Sequence, residues 1–420
     1  MNIRLTVISV LFLVGVFADL QKIETVAGVR IIHNEKTGQW GDEPAVKLEL
    51  VRTLGGLDAE ENLSFNRPME IVQDSAGNLY VLDAGNNRIQ KLDKQGKYIK
   101  TIGRKGQGPG EFQAANSMDI DEENNLFVYD LNSRRIEVLS SDGEPLKAIK
   151  YRDLFGGRIR LLKQGLIARG GLLGSGVLMG TKKKLPKLLE VVDGTGRLMF
   201  EFGDATEYGD GNVNFHANYF LFDTDAEKNI CLSFQWQNRI EKYTPEGKIL
   251  WRADRHLDYG TGVIDKGSVK RGIATTITSP KMNQVSAGIA ADKRGRIWVI
   301  TLRRQLTQEE MGSGSSVVTT NSGVASRNRS VQPRIVKTDV YKLEIFSPDG
   351  VLLGEIPLSH PAHWIRIFDD NLFIMEYNEA MFYQYKIMES AIRGGHEESS
   401  SGNRPRHVPN RSFTDPSGPR

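Results

Sequence analysis

The stretch GNLYVLDAGNNRIQKLDKQGKYIKTIG, Gly77 to Gly103, is followed by NNLFVYDLNSRRIEVLSSDGEPLKAI, Asn124 to Ile149. These are one phrase written twice: Leu79 falls on Leu126 and Arg88 on Arg135, a spacing of 47 residues (126 − 79). A repeat of that length made only of short apolar runs and polar turns predicts a β-propeller, in which each repeat is one radial sheet. The apolar run recurs as NLYVLD at Asn78, NLFVYD at Asn125, GLIARG at Gly165, NICLSF at Asn229, RIWVIT at Arg296 and NLFIME at Asn371, which makes six units. Leu79, Tyr80, Val81 and Leu82 leave neither face of their strand for water, as expected of an inner strand sandwiched between neighbouring blades. The fold class is therefore all-β, a six-bladed propeller of four-stranded antiparallel blades.

Polar turns punctuate every unit: Asp74 to Gly77, Asp93 to Gly96, Asp121 to Asn124, Ser141 to Gly143, Asp225 to Lys228, Pro245 to Gly247, Asp292 to Gly295, Pro348 to Gly350 and Asp369-Asp370. Asp and Gly recur there because tight antiparallel turns need positive backbone φ and local side-chain hydrogen bonds. The aspartates are thus turn makers. Asp119, Asp121 and Glu123, or Asp223, Asp225 and Glu227, lack the glycine and distal glutamate of a helical calcium loop. The last unit offers strands near His363–Ile367, Leu372–Glu376 and Phe382–Ile387 but no fourth, while LVRTLGG from Leu50 repeats the outer-strand text YIKTIG. The N-terminal segment is expected to complete the last blade and close the ring.

Residues 1–18 read as a secretory signal peptide, with Arg4, an apolar run from Leu5 and small residues up to Ala18. Export to the periplasm or the cell exterior is the expected localisation. Residues 19–45 read as an extended N-terminal segment and 46–390 as the propeller. Within it, 304–337 is a flexible insertion in the fifth blade, and 391–420 is a disordered tail. No segment after the signal has the length and apolarity of a membrane span. A net charge of +3, from 55 Lys and Arg against 52 Asp and Glu, gives no field that gathers nucleic acid. Lys182 to Lys184 is the one tight basic run and reads as a solvated loop tip. Cys231, the single cysteine, lies in an apolar strand and reads as a core residue.

FNRPMEI, DSAGNLYVLDAGNNRIQKLDKQGKYIKTIG and GQGPGEF resemble the NHL repeat family, strongly over Phe65 to Ile149 and fairly over Phe222 to Trp251. The resemblance implies a six-bladed propeller of the exported bacterial type. Arg88, Arg135 and Arg239 occupy its N-x-R-I element; the other three units have no counterpart.

In an up-and-down meander, the connections between strands two and three and those between blades share one rim. Every long connection falls there: Gly170 to Lys184, Gly203 to Asn214, Ala253 to Asn283 and Arg304 to Lys337. Loops placed by a rigid scaffold are where binding resides. Inner strands start at the same mouth, and aligning the units brings Glu70, Ser117, Gly288 and His363 to nearly equivalent positions, with Arg67, Asn116, His216, Asn218 and His360 close by. Similarity to gluconolactonase-type propellers implies calcium on Glu70, Asn116 and Asn218. Similarity to peptide-amidating lyases implies zinc on His216 and His363, flanked by His360. His360-Pro361-Ala362-His363 is awkward for joint ligation because the pair shares one strand entry with a proline. No H-E-x-x-H, G-x-S-x-G or G-x-x-x-x-G-K-[ST] occurs. The expected function is a binding or scaffold module for a peptide, glycan or protein partner. Its ligand site is placed at the channel mouth around Arg67, Glu70, Asn116, His216, Asn218 and His363. The alternative is a metal-dependent lactonase or lyase, the only reading that calls for Ca or Zn.

Overall fold

The structure, a computed structural model, describes residues 21–151, 157–181, 184–270, 275–311, 317–320, 323–327 and 337–390. The signal segment 1–18, the tail 391–420, Lys182 and Lys183, and part of the 304–337 insertion lie outside them.

Six four-stranded antiparallel blades form the molecule. Blade 1 runs through Pro68–Gln73, Leu79–Asp83, Arg88–Leu92 and Tyr98–Ile102, and blade 2 through Ala115–Ile120, Leu126–Asp130, Arg135–Leu139 and Pro145–Lys150. Blade 3 comprises Gly157–Leu161, Ile167–Gly171, Lys187–Val192 and Leu198–Asp204; blade 4, Phe220–Thr224, Ile230–Phe234, Ile240–Tyr243 and Ile249–Arg255. Blade 5 comprises Ser286–Ala291, Ile297–Leu302, Tyr341–Phe346 and Leu352–Pro357. Blade 6 takes three strands from the C-terminal side, Trp364–Phe368, Asn371–Glu376 and Met381–Glu389, and its outer strand, Val46–Gly55, from the N-terminal side. Leu50 stands opposite Tyr385 across that closing ladder. The ring therefore has no open seam.

The second strand of each blade is buried throughout or nearly so, as its apolar faces demand. Side chains such as Tyr80, Trp298 and Phe373 fill the wedges between neighbouring sheets. Each fully buried large side chain contributes about 1.5–3 kcal/mol. The turn rim bears out the role given to the aspartates. Asp74 Oδ1 accepts from the amides of Ala76 and Asn78, and Asp121, Asp225 and Asp292 repeat the bond to the residue four positions on. At Gly143, φ is +86° and a Cβ would come within 2.7 Å of Ile102, so only glycine makes that turn.

Residues 21–45 run along the outer edges of two blades. The hairpin Gln21–Val26 and Val29–Asn34 adds to blade 4, its second strand lying parallel to Ile249–Arg255. The amides of Gln39 and Trp40 then donate to Leu352 and Leu353 of blade 5 before the chain enters blade 6. No helix among the described residues is long and apolar enough to cross a membrane.

Candidate functional site

The ladder registers define two levels inside the channel. Glu70, Ser117, Arg158, Leu221, Gly288 and Trp364 share one level of the six inner strands; Val72, Asp119, Arg160, Asp223, Ala290 and Arg366 share the next, two residues along. These levels carry three arginines and three carboxylates, all buried. Glu70 Oε2 accepts from Arg158 Nη1 at 2.9 Å and from Arg160 Nη1 at 3.2 Å. Arg160 Nε donates to Asp223 Oδ1 at 2.9 Å, and Arg366 donates to the same oxygen while its Nη2 lies 3.3 Å from Asp119 Oδ1. Asp119 and Ser117 also accept the amides of Leu161 and Ile159, stitching blade 2 to blade 3. The Arg158 guanidinium lies 5.1 Å from the Trp364 ring across the channel. Burial alone would lower the Arg160 pKa, but Glu70, Asp223 and Asp119 outweigh it and hold it above the usual arginine value. The waist is thus a self-neutralising plug.

The six expected site residues do not converge on a ligand. Glu70 belongs to the waist. Asn116 donates to Gly157 O at 2.6 Å, again between blades 2 and 3. Asn218 is fully buried: its Nδ2 donates to Thr206 O and Asn214 O, and its Oδ1 accepts the Thr206 amide at 2.7 Å. It caps the loop that enters blade 4. Arg67 is exposed at φ +53° and donates to the Tyr377 hydroxyl at 3.1 Å. His216 sits in the short helix Gly211–Ala217, its Nδ1 donating to Asn212 O and its Nε2 facing Ser279 Oγ at 3.2 Å.

His363 is displaced by one position from the alignment. Blades 1, 2 and 5 carry a bulge just before Glu70, Ser117 and Gly288, and blade 6 has none, so Trp364 takes the equivalent position. His363 sits one rung nearer the mouth, where its Nδ1 accepts the Tyr377 amide at 3.1 Å. Its proton therefore rests on Nε2, and burial together with the neighbouring His360 lowers its pKa to about 4. His360 is buried, its Nδ1 donating to Pro361 O and its Nε2 accepting from the Tyr385 hydroxyl at 2.7 Å.

These residues do not fit either metal. A calcium ligand set needs several free oxygens converging on a point, but one Glu70 oxygen is shared by two arginines, the other faces Arg366 Nε at 3.8 Å, and the Asn218 carbonyl already accepts from Thr206 and Gln237. Zinc needs unprotonated imidazole nitrogens converging on a point, but both nitrogens of His216 and His360 are engaged, and the free one of His363 is protonated. Among the described residues no group of three or more His, Cys, Asp or Glu is arranged to hold an ion. Cys231 is buried, and burial pushes its thiol pKa far up, as befits a core residue.

The waist arginines and aspartates escaped the sequence reading as a set. Their signal is a charge in the middle of an inner strand, as in GRIRL, SMDI and WIRIF. The N-x-R-I arginines have a different task. Arg135 donates to the carbonyls of Gln107, Gly108 and Glu111, and Arg88 and Arg239 likewise grip the connections entering blades 1 and 4. They staple short connections at the mouth.

Above the waist, four insertions pack on one another. The helix Ser175–Leu178 of blade 3 contacts the helix Gly211–Ala217. Asn212 Nδ2 donates to Lys266 O and Thr278 O of the connection between blades 4 and 5. That connection contributes Ser268–Lys270 and Thr275–Thr278 to a four-stranded sheet with Val317–Thr320 and Gly323–Arg327 from the fifth-blade insertion. Every sizeable insertion is thereby joined at a single mouth.

Comparison with known proteins agrees with this architecture. The family described as 6-bladed beta-propeller (DUF5128) matches residues 57–163, blades 1 and 2 and the start of blade 3. No curated protein matches the sequence. Among solved structures, the chain is similar to a Bacteroides fragilis protein described as exported (11% identity, 86% of this chain and 99% of that one, TM-score 0.52). It is also similar to a member of the DUF4221 family from Bacteroides vulgatus (13% identity, 82% and 99% covered, TM-score 0.50). A gluconolactonase from Xanthomonas campestris aligns at 15% identity over 82% and 95%, with a TM-score of 0.45, too low to bear on this chain's chemistry. The likeness throughout is one of fold: this chain is a six-bladed β-propeller.

Proposed function

We propose that the chain is an exported, NHL-like binding or scaffold module that engages a peptide, glycan or protein partner through the insertion-built mouth of its propeller. One observation carries this reading. The mouth gathers four insertions from three blades and their connections, while the channel beneath it spends its charges on itself. Fold alone assigns no chemistry, so the reading rests on where exposed groups collect. The signal-like N-terminus supports export, and the small net charge disfavours a nucleic-acid partner.

The test replaces residues 308–334 by a short Gly-Ser link and compares partner capture from envelope extract and glycan arrays with that of the parent chain. Capture is expected to disappear while the melting temperature moves by no more than about 2 °C. Retained capture overturns the reading. In a parallel arm, chelated and reloaded protein is analysed for metal. The lactonase or lyase alternative demands stoichiometric calcium or zinc that Glu70→Gln with His363→Ala abolishes, and the binding reading expects none.

A further inference from the structure

The geometry points to the partner class of one part of that mouth: the crevice between the blade 3 insertion, the helix Gly211–Ala217 and the strand Ser268–Lys270 takes an extended peptide, added as a strand to the free edge of Ser268–Lys270. The inference rests on the binding role proposed for the mouth and deepens it.

The crevice has a volume of about 530 Å³, within the range of specific ligand sites. It is lined by Leu178 to Gly180, by Asp210 to Asn212 and by four consecutive residues, Lys266 to Val269. The run of consecutive residues is informative. Lys266 and Gly267 lead into the strand, and Ser268 and Val269 belong to it; successive strand side chains point to opposite faces, so a crevice that touches both meets the strand at its edge. Sheet order agrees, since Ser268–Lys270 pairs with Thr275–Thr278 and has no strand on its other side among the described residues. Alternate N–H and C=O groups along it therefore point outward as a template for another strand.

The surroundings narrow the occupant's chemistry. Leu178, Met179 and Val269 are partly exposed and offer an adaptable apolar seat. Lys266, two residues before the strand, and Lys270, its last residue, stand exposed with no ion pair among the described residues. The nearby acids are committed locally, Asp210 to the Val213 amide and Asp265 to the Gly267 amide. Asn212 Oδ1, from the lining, is a buried acceptor without a donor among the described residues. An apolar residue flanked by acidic ones, in extended backbone, complements this set. The molecule already uses the same device elsewhere, where Val29–Asn34 adds in parallel to the outer strand of blade 4.

A phage-displayed library of random dodecapeptides selected on the full chain tests the inference, with recovered peptides synthesised for fluorescence anisotropy. The expected consensus is an apolar residue between Asp or Glu. Affinity should fall about tenfold or more in Val269→Asp and on N-methylation of alternate peptide residues, and be indifferent to N-methylation of the residues between. Lys266→Glu with Lys270→Glu, a surface change that leaves the hairpin intact, should reverse the preference toward basic flanks. Peptides that bind Val269→Asp and the double variant as well as the parent, or that tolerate N-methylation everywhere, overturn strand addition at this edge. Recovery of no binding peptide overturns it as well. Neither result decides the mouth reading, which stands or falls on capture by the 308–334 deletion.

Discussion

At the waist, Arg160 is 1% exposed and held between Glu70 of blade 1 and Asp223 of blade 4; at the mouth, Lys266 and Lys270 stand in solvent with no ion pair among the described residues. The two regions sit on the same inner scaffold and differ in what their charges are for. Those of the waist hold blades 1, 2, 3, 4 and 6 in register, and the two buried waist atoms without a hydrogen bond, Glu70 Oε1 and Arg366 Nε, face each other at 3.8 Å. Those of the mouth are carried by insertions that the sheets do not need. Fold analogy sends the search for function into the channel, and here the channel's polar groups are structural.

The comparison breaks most visibly if the waist is opened. Arg160→Met leaves Glu70 and Asp223 short of a partner in a buried site, and removing one member of a buried ionic cluster costs about 3–5 kcal/mol. Urea unfolding should show that loss. Adding Asp223→Asn to the same chain should recover most of it, because the remaining Arg158–Glu70 and Arg366–Asp119 pairs then balance and the cost lies in uncompensated charge. A loss under about 1 kcal/mol would mean that water reaches the waist and that its carboxylates are available after all.

A smaller effect separates stapled connections from inserted ones. Arg135 ties three carbonyls of the connection into blade 2 and pairs with the buried Glu137 at 2.7 Å, so Arg135→Ala should cost about 2–3 kcal/mol and open residues 104–112 to limited proteolysis. Blade 3 has no such arginine. Its third strand begins with Lys187, which pairs with the largely exposed Asp204, and Lys187→Ala should cost less than about 0.5 kcal/mol. Equal effects would erase the distinction between the two kinds of blade.

What could be read beforehand follows the same division. Blade number, the closing strand and the turn aspartates were legible because each repeats locally: Asp74 and Asp121 cap the same turn 47 residues apart, and the text at Leu50 matches that at Tyr98. The waist was not legible because its partners are distant in the chain. Arg366 meets Asp119 across 247 residues and Asp223 across 143, and no period links them. The placing of His363 failed for a local reason, since one-residue bulges before Glu70 and Ser117 are invisible in aligned text and shift the rung by one. Asn218 looked like a spare amide because its acceptors are carbonyls at Thr206 and Asn214, which sequence does not display.

The smallest effect uses acid to tell the two regions apart. The waist contains no histidine, but His363 at the mouth takes up a proton in the unfolded chain as the pH falls from about 7 to about 4. Its pKa, ordinarily 6.5, is lowered to about 4 in the fold by burial and by His360. Between those values the unfolded chain takes up a proton that the folded chain refuses. Stability is therefore whole above pH 6.5, declines as the pH falls, and levels out below about pH 4. Because the ring is partly open to solvent, the decline should amount to about 1–2 kcal/mol. Glu376, whose pKa burial raises, contributes with the opposite sign, so the comparison is made against His363→Gln, which keeps an acceptor for the Tyr377 amide and removes only the imidazole's share. Between pH 6.5 and about pH 4 the parent should lose about 1–2 kcal/mol more than the variant, a difference in slope confined to that window. Parallel profiles would place His363 in water at all pH values and remove the argument that its Nδ1 is committed to the backbone.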